Sequence, residues 1–305
     1  MDLFLSGKRA VITGGSRGIG FAIADALAAE GAQIAILARD PDRLAVAAGQ
    51  LRVHGGRVLA LSADTTDDKA VRAAITQVAD EFGGVDILVN NAATPAGAAA
   101  PRDLADISDD VILAAFDTKV LGYLRTARAA APYMTAQGWG RIINISGLAA
   151  RSVGAVSGSI RNVAIAALTK TLADELGPHG INVTVVHPGW TVTERTSDHV
   201  AAYASARGVT EATAQVMLAK GISIGRPVTA AELAHVVVFL ASPRSVAITG
   251  DTIAAGGGAR GAIHYLRLAP GRLLEWQPQP VAGHPDQHRG PGPERAPASE
   301  PATLA

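Results

Sequence analysis

The feature that most constrains this chain lies in its first twenty residues. Ala10-Val11-Ile12 is apolar on consecutive positions and runs through Thr13 into Gly14-Gly15-Ser16-Arg17-Gly18-Ile19-Gly20, after which an alanine-rich stretch begins. A strand that is apolar on consecutive residues is covered on both faces. A glycine-rich turn from such a strand into a helix lets the backbone approach a pyrophosphate and aims the first N–H groups of the helix at it. The start therefore commits the chain to a βα unit, and such units build a parallel sheet with helices on both faces.

The same rhythm continues to about residue 260. Hydrophobic periodicity predicts strands at 9–13, 33–38, 57–62, 87–90, 140–146, 182–187 and 252–255, and helices at 20–30, 41–54, 67–82, 109–137, 163–176 and 230–241. The expected fold is a single-domain α/β doubly wound parallel sheet of about seven strands, over residues 1–262. Residues 263–305 read differently: half of the sixteen prolines fall from Pro270 onward, with no apolar period, which predicts a largely disordered Pro-rich tail.

Composition narrows the partners. Lys plus Arg equals Asp plus Glu at 27 each, so no net field draws the chain to nucleic acid or to a membrane surface. The chain has no cysteine, which removes disulfides and thiolate chemistry and fits a reducing cytoplasm. No apolar run is long enough to span a bilayer, and the first residues do not read as a signal peptide. The eight histidines form no metal-binding pattern on a helix face, so no metal is expected. A small-molecule substrate is the expected partner.

Further motifs accompany the Gly-x-x-x-Gly-x-Gly turn: Asp64-Thr65 after the third strand, Asn90-Asn91-Ala92 after the fourth, and Pro188-Gly189 after the sixth. This set, in this order, resembles the short-chain dehydrogenase/reductase family, over residues 6 to about 260. The resemblance implies a Rossmann-like sheet, assembly into a homodimer or homotetramer, and a set of cofactor contacts. Gly14, Ser16, Arg17, Gly18, Ile19 and Gly20 would cradle the phosphates, and Asp64 and Thr65 would flank the adenine. Asn91 and Ala92 would line the adenine ribose side, while Pro188, Gly189, Thr191 and Thr193 would bracket the nicotinamide amide.

The second strand ends in Ala38-Arg39, where an acidic residue would bind the 2′-hydroxyl of NAD. Arg39 with Arg17 offers two guanidiniums to a 2′-phosphate, so NADP(H) is the expected cofactor. The alternative for both is an ordinary solvated arginine.

The chemistry end departs from the family. Its enzymes pair a proton-donating Tyr with a Lys four residues later, and add a Ser that orients substrate and a helical Asn that holds a relay water. Registered on Ala166-Ala167-Leu168-Thr169-Lys170, the Tyr position is Gly158 and the Lys position is Asn162. None of Tyr123, Tyr133, Tyr203 and Tyr265 is followed by a Lys four residues on. Gly147 stands at the Ser position, with Ser146 just before it, and Lys119 stands at the Asn position.

Lys119 is the expected replacement acid, or a clamp for an anionic substrate, with a depressed pKa if it is desolvated. The competing use is a helix-surface lysine at a subunit contact. Ser146 and His187 are candidate assistants. His187 sits at a strand end, where ligands of open α/β sheets bind, and packing there is its alternative. Asn162 would lie by the nicotinamide ribose, with Arg161 beside it as another positive charge.

Two functions follow as expectations. One is an NADP(H)-dependent oxidoreductase with an atypical proton donor, acting on a small apolar carbonyl, alcohol, alkene or imine compound. The other is a catalytically silent NADP(H)-binding scaffold or regulatory subunit. Residues 200–223 read as a helical flap over an apolar substrate pocket.

Overall fold

The computed structural model describes residues 1–93, 104–152 and 155–258. The Pro-rich tail at 263–305 lies outside the described residues. In chain order the first half comprises β1 (Arg9–Thr13), α1 (Gly18–Ala29), β2 (Gln33–Ala38), α2 (Pro41–Leu51), β3 (Val58–Ser62), α3 (Asp68–Phe82) and β4 (Ile87–Asn90). The second half comprises α4 (Asp109–Phe116), a π turn (Asp117–Leu121), α5 (Gly122–Gln137), β5 (Gly140–Ile145), α6 (Val156–Leu176) and β6 (Ile181–Pro188). It continues with β7 (Thr191–Val192), α7 (Thr196–Ser205), α8 (Glu211–Lys220), β8 (Val228–Thr229), α9 (Ala230–Ala241) and β9 (Thr252–Ala255).

Seven strands form one parallel sheet in the order β3-β2-β1-β4-β5-β6-β9, and β7 and β8 make a separate two-stranded pair. This is the doubly wound fold that the sequence predicts. Chain direction across the sheet reverses between β1 and β4, and the crevice at the carboxyl ends of those strands is where such sheets bind ligands.

Alternation along β1 explains the two helical layers. Ile12 packs with Ile23 and Leu27 of α1, Leu44 and Leu51 of α2, and Val237 of α9. Its neighbour Val11 points the other way, to Val71, Ile75 and Val78 of α3 and Ala127, Ala130 and Met134 of α5. Each fully buried Leu or Ile of these layers contributes about 1.5–3 kcal/mol. No helix among the described residues is long and apolar enough to cross a membrane.

Three elements differ from the sequence expectation. The helix expected at 109–137 is one rod interrupted by the π turn at Asp117–Leu121, which carries Lys119. α6 begins at Val156 rather than 163. The low helix propensity of Ser157-Gly158-Ser159 is overridden because Gly158, Arg161, Asn162 and Ile165 bury one continuous stripe. The flap is two helices, α7 and α8, and it starts four residues earlier than 200.

Candidate functional site

At the carboxyl ends of β1, β2, β3 and β4 lies a cleft of ≈ 860 Å³. Gly14, Ser16, Arg17, Gly18 and Ile19 line one side of it. Arg39, Asp64, Thr65, Asn91, Ala92 and Thr193 complete the part that the sequence foresees. Gly20, Asn162, Pro188, Gly189 and Thr191 are not among its lining residues.

Gly14 and Gly20 explain why this turn is built from glycine. Gly14 adopts φ 65°, in the left-handed region, and a Cβ there would lie 2.9 Å from Asn91 Nδ2. A Cβ on Gly20 would run into the Gly14 carbonyl and the same Asn91 amide. α1 is therefore drawn against the turn. Its N-cap, Arg17, makes no side-chain capping bond, so the amides of the first turn have no side-chain acceptor of that kind and open toward the cleft.

Asn91 has a second task besides lining the cleft. Its Nδ2 donates to the carbonyls of Thr13 and Gly14 at 3.1 and 3.2 Å, and its backbone N–H donates to Thr13 Oγ1 at 2.9 Å. It braces the turn from β4. Asp64 is likewise engaged locally, accepting from the N–H and hydroxyl of Thr66, both at 2.9 Å, with the exposed Arg39 guanidinium 3.9 Å away.

Lys119, like the other two candidate catalytic residues Ser146 and His187, is not among the residues that line the cleft. Its side chain is buried, not on a helix surface, and its Nζ donates to Asn162 Oδ1 at 2.9 Å and to the Ser146 carbonyl at 3.0 Å. Burial, with a smaller push from the nearby Arg161 guanidinium, lowers its pKa to about 7. The structure brings Lys119, Ser146 and Asn162 together, since Ser146 Oγ also donates to the Asn162 carbonyl at 3.1 Å.

His187 joins the cluster through Gly147, whose N–H donates to His187 Nδ1 at 3.4 Å. Burial first, then the charges of Arg151 and Lys119, depress its pKa to about 4. At neutral pH it is an uncharged imidazole with its proton on Nε2. Tyr123, on the first turn of α5, is fully buried. Its hydroxyl donates to the Ile145 carbonyl at 2.8 Å, and complete burial raises its pKa far above the ordinary phenol value.

A polar ladder that the sequence reading missed ties these elements together below the site. Thr126 Oγ1 donates to Asn90 Oδ1 at 2.6 Å, Asn90 Nδ2 to Asn144 Oδ1 at 3.0 Å, and Asn144 Nδ2 to Thr169 Oγ1 at 2.9 Å. It links α5, β4, β5 and α6 with every member buried. The available signal was Asn144 inside Ile142-Ile143-Asn144-Ile145, because a polar side chain in a buried strand needs a partner.

The short chain dehydrogenase profile matches residues 8–204. The chain belongs to the short-chain dehydrogenase family. This short-chain dehydrogenase is 36% identical over 250 residues to the short-chain reductase protein NovJ of Streptomyces niveus, covering 82% of this chain and 92% of that protein. It is 32% identical over 263 residues to the NADPH-dependent reductase BacG of Bacillus subtilis, covering 85% of this chain and 100% of that protein. Among solved structures, L-sorbose reductase from Gluconobacter frateurii, complexed with NADPH and L-sorbose, superposes with a TM-score of 0.80 at 33% identity. That match covers 86% of this chain and 100% of the other.

In this short-chain dehydrogenase, further cleft residues escaped the sequence reading: Asp40, Arg43, Thr118, Glu194, Arg195 and His199. Arg43 was legible in principle. It lies four residues after Arg39, in the first turn of α2, which is fixed there because Asp40 accepts from the Arg43 N–H at 3.1 Å. The residues after Thr193 carried no signal, since their approach to the cleft depends on how α7 folds back.

Proposed function

We propose that this chain is an NADP(H)-dependent oxidoreductase that reduces a small carbonyl compound, with Lys119 as the proton donor. The cleft supports the cofactor in three ways. Its glycine turn has no room for a side chain at Gly14 or Gly20, the first-turn amides of α1 open into it, and Arg17, Arg39 and Arg43 line it. Two of these guanidiniums can fork a 2′-phosphate. Once bound, the cofactor supplies the hydride.

One observation carries the assignment of Lys119. An ammonium has three N–H donors, and the described residues take two of them, at Asn162 Oδ1 and the Ser146 carbonyl. The third proton is the one a substrate oxygen accepts. After its transfer the amine still donates to both partners and turns its lone pair to the same place, so the proton moves without disturbing the bonds that hold the side chain. A pKa of about 7 suits that exchange near neutral pH. Ser146 and the neutral His187 fix the frame around it; His187, at about 4, is not the acid.

The test is a screen of carbonyl, alkene and imine compounds for loss of reduced-cofactor absorbance, run with the wild type and Lys119→Ala. The variant is expected to lose about 10²-fold or more in turnover with unchanged NADPH affinity. Equal rates would remove Lys119 from the chemistry.

A second reading has one observation in its favour. Gly158 and Asn162 occupy the two α6 positions that the resemblance gives to Tyr and Lys, which suits a silent NADP(H)-binding scaffold or regulatory subunit. Tight NADPH binding without turnover of any compound in the screen would select it.

A further inference from the structure

We infer that the carboxylate of Glu194 competes with the cofactor pyrophosphate for the N-terminal end of α1, and so sets the affinity of this cleft for NADP(H). This deepens the oxidoreductase reading and rests on it for the cofactor alone. Gly18 opens α1 with φ 57°, and a Cβ built on it would meet both carboxylate oxygens of Glu194 at 3.7 Å. Glu194 comes from the loop between β7 and α7 and lines the same cleft as the glycine turn. Its charge therefore stands at the positive end of the α1 dipole, where the first-turn amides open.

A salt bridge does not explain that placement. The other two acids of the cleft each have a cation: Asp40 is 3.1 Å from Arg43, and Asp64 is 3.9 Å from Arg39. Glu194 has no hydrogen bond or ion pair through its side chain among the described residues. The end of α1 is the partner left to it, because a helix N-terminus favours any anion that comes near. The same end is the one that suits a pyrophosphate, and two anions repel each other there.

The backbone around Glu194 is closed into a turn. Thr193 N–H donates to Thr196 Oγ1 at 2.8 Å, and Thr196 N–H donates to the Thr193 carbonyl at 3.1 Å. The turn presents the carboxylate to Gly18, so what gives way to a pyrophosphate is the side chain and not the loop. Glu194 is exposed and has room to turn out to solvent. NADP(H) is then held less tightly than the arginines and amides alone would hold it, which speeds release of the spent cofactor.

Glu194→Gln tests this, because it keeps the shape of the side chain and removes its charge. Titration of NADPH fluorescence is expected to show binding about fivefold tighter than in the wild type, with Glu194→Asp between the two. The gain is expected to shrink as salt rises. Adenosine 2′-monophosphate, which has no pyrophosphate, is expected to compete with NADPH with an affinity changed less than about twofold. Without any ligand, Glu194→Gln is expected to melt about 1–3 °C below the wild type, since the helix end loses its anion. A charge that stabilises the free protein and opposes the cofactor is the signature. Unchanged NADPH affinity overturns the inference, and so does an equal gain for both ligands, which would report a general field. Tighter NADPH binding with an unchanged melting temperature also overturns it, because Glu194 would then repel the cofactor without being held at α1. A wild type that binds no NADPH would instead remove the cofactor reading beneath it.

Discussion

Lys119 Nζ and Asn162 Oδ1 are 2.9 Å apart, joining the π turn before α5 to the first half of α6 across the buried end of the site. The pair exchanges the residue types that the resemblance assigns to these two positions, so an ammonium is retained but enters from the opposite helix. Since burial brings Lys119 to about 7, its charged form is lost as pH rises through that value. In the reductive direction kcat/KM is therefore expected to be flat below about pH 6 and to fall tenfold per pH unit above about pH 8. Asn162→Asp puts a carboxylate against the ammonium and is expected to move this limb upward by about one unit or more. A limb that stays in place would show that another group titrates.

The same burial makes stability depend on pH, with a definite sign. The unfolded chain keeps the Lys119 proton up to its ordinary value of 10.5, and the folded chain only to about 7. Between those values the unfolded state binds more protons, so the contribution of this residue to stability rises with pH. Lys119→Met removes the titration, and its loss of two hydrogen bonds is independent of pH. The melting temperature of the wild type minus that of the variant is expected to be several degrees larger at about pH 9 than at about pH 6. A difference constant with pH would contradict a desolvated amine.

Much of the scaffold was legible because it obeys local rules. Ala10-Val11-Ile12 and Ile34-Ala35-Ile36-Leu37 could only be strands covered on both faces, and the glycine turn fixed what followed the first of them. The chemistry end was less legible, for two physical reasons. Nothing in Asp117-Thr118-Lys119-Val120-Leu121 announces a π turn, which arises from how the helix meets its neighbours. The start of α6 is set by burial of Gly158 and Arg161 against local propensity, so the sequence places it seven residues late. Asn91 shows a different limit: spacing found the residue, while its work as a brace for Thr13 and Gly14 is visible only in three dimensions.

Cofactor choice should rest on the exposed Arg39. It follows β2 at the rim of the cleft, and its one ionic partner among the described residues, Asp64, is 3.9 Å away and itself partly exposed, which leaves the guanidinium available to a phosphate. Arg39→Asp is expected to weaken NADPH about 10²-fold while changing NADH less than about threefold, measured by titrating cofactor fluorescence. Rising salt is expected to weaken NADPH binding to the wild type more than to the variant, as screening would require. Equal losses for both cofactors would mean that Arg39 shapes the cleft without reading the 2′ position.

Gly20 tests the turn itself. A methyl there meets the Gly14 carbonyl and the Asn91 amide, and neither can yield alone, since Asn91 Nδ2 already bonds the carbonyls of both Thr13 and Gly14. Gly20→Ala must therefore push α1 away from the turn and carry its first amides off the pyrophosphate position. NADPH affinity is expected to fall by about 10²-fold. The sheet core behind Ile12, Ile23 and Leu27 is far less affected, so the far-ultraviolet spectrum is expected to persist and the melting temperature to drop by only a few degrees. Retained affinity in a folded variant would show that the first turn of α1 does not bind the pyrophosphate, and the phosphate end of the site would then have to be sought elsewhere along the cleft.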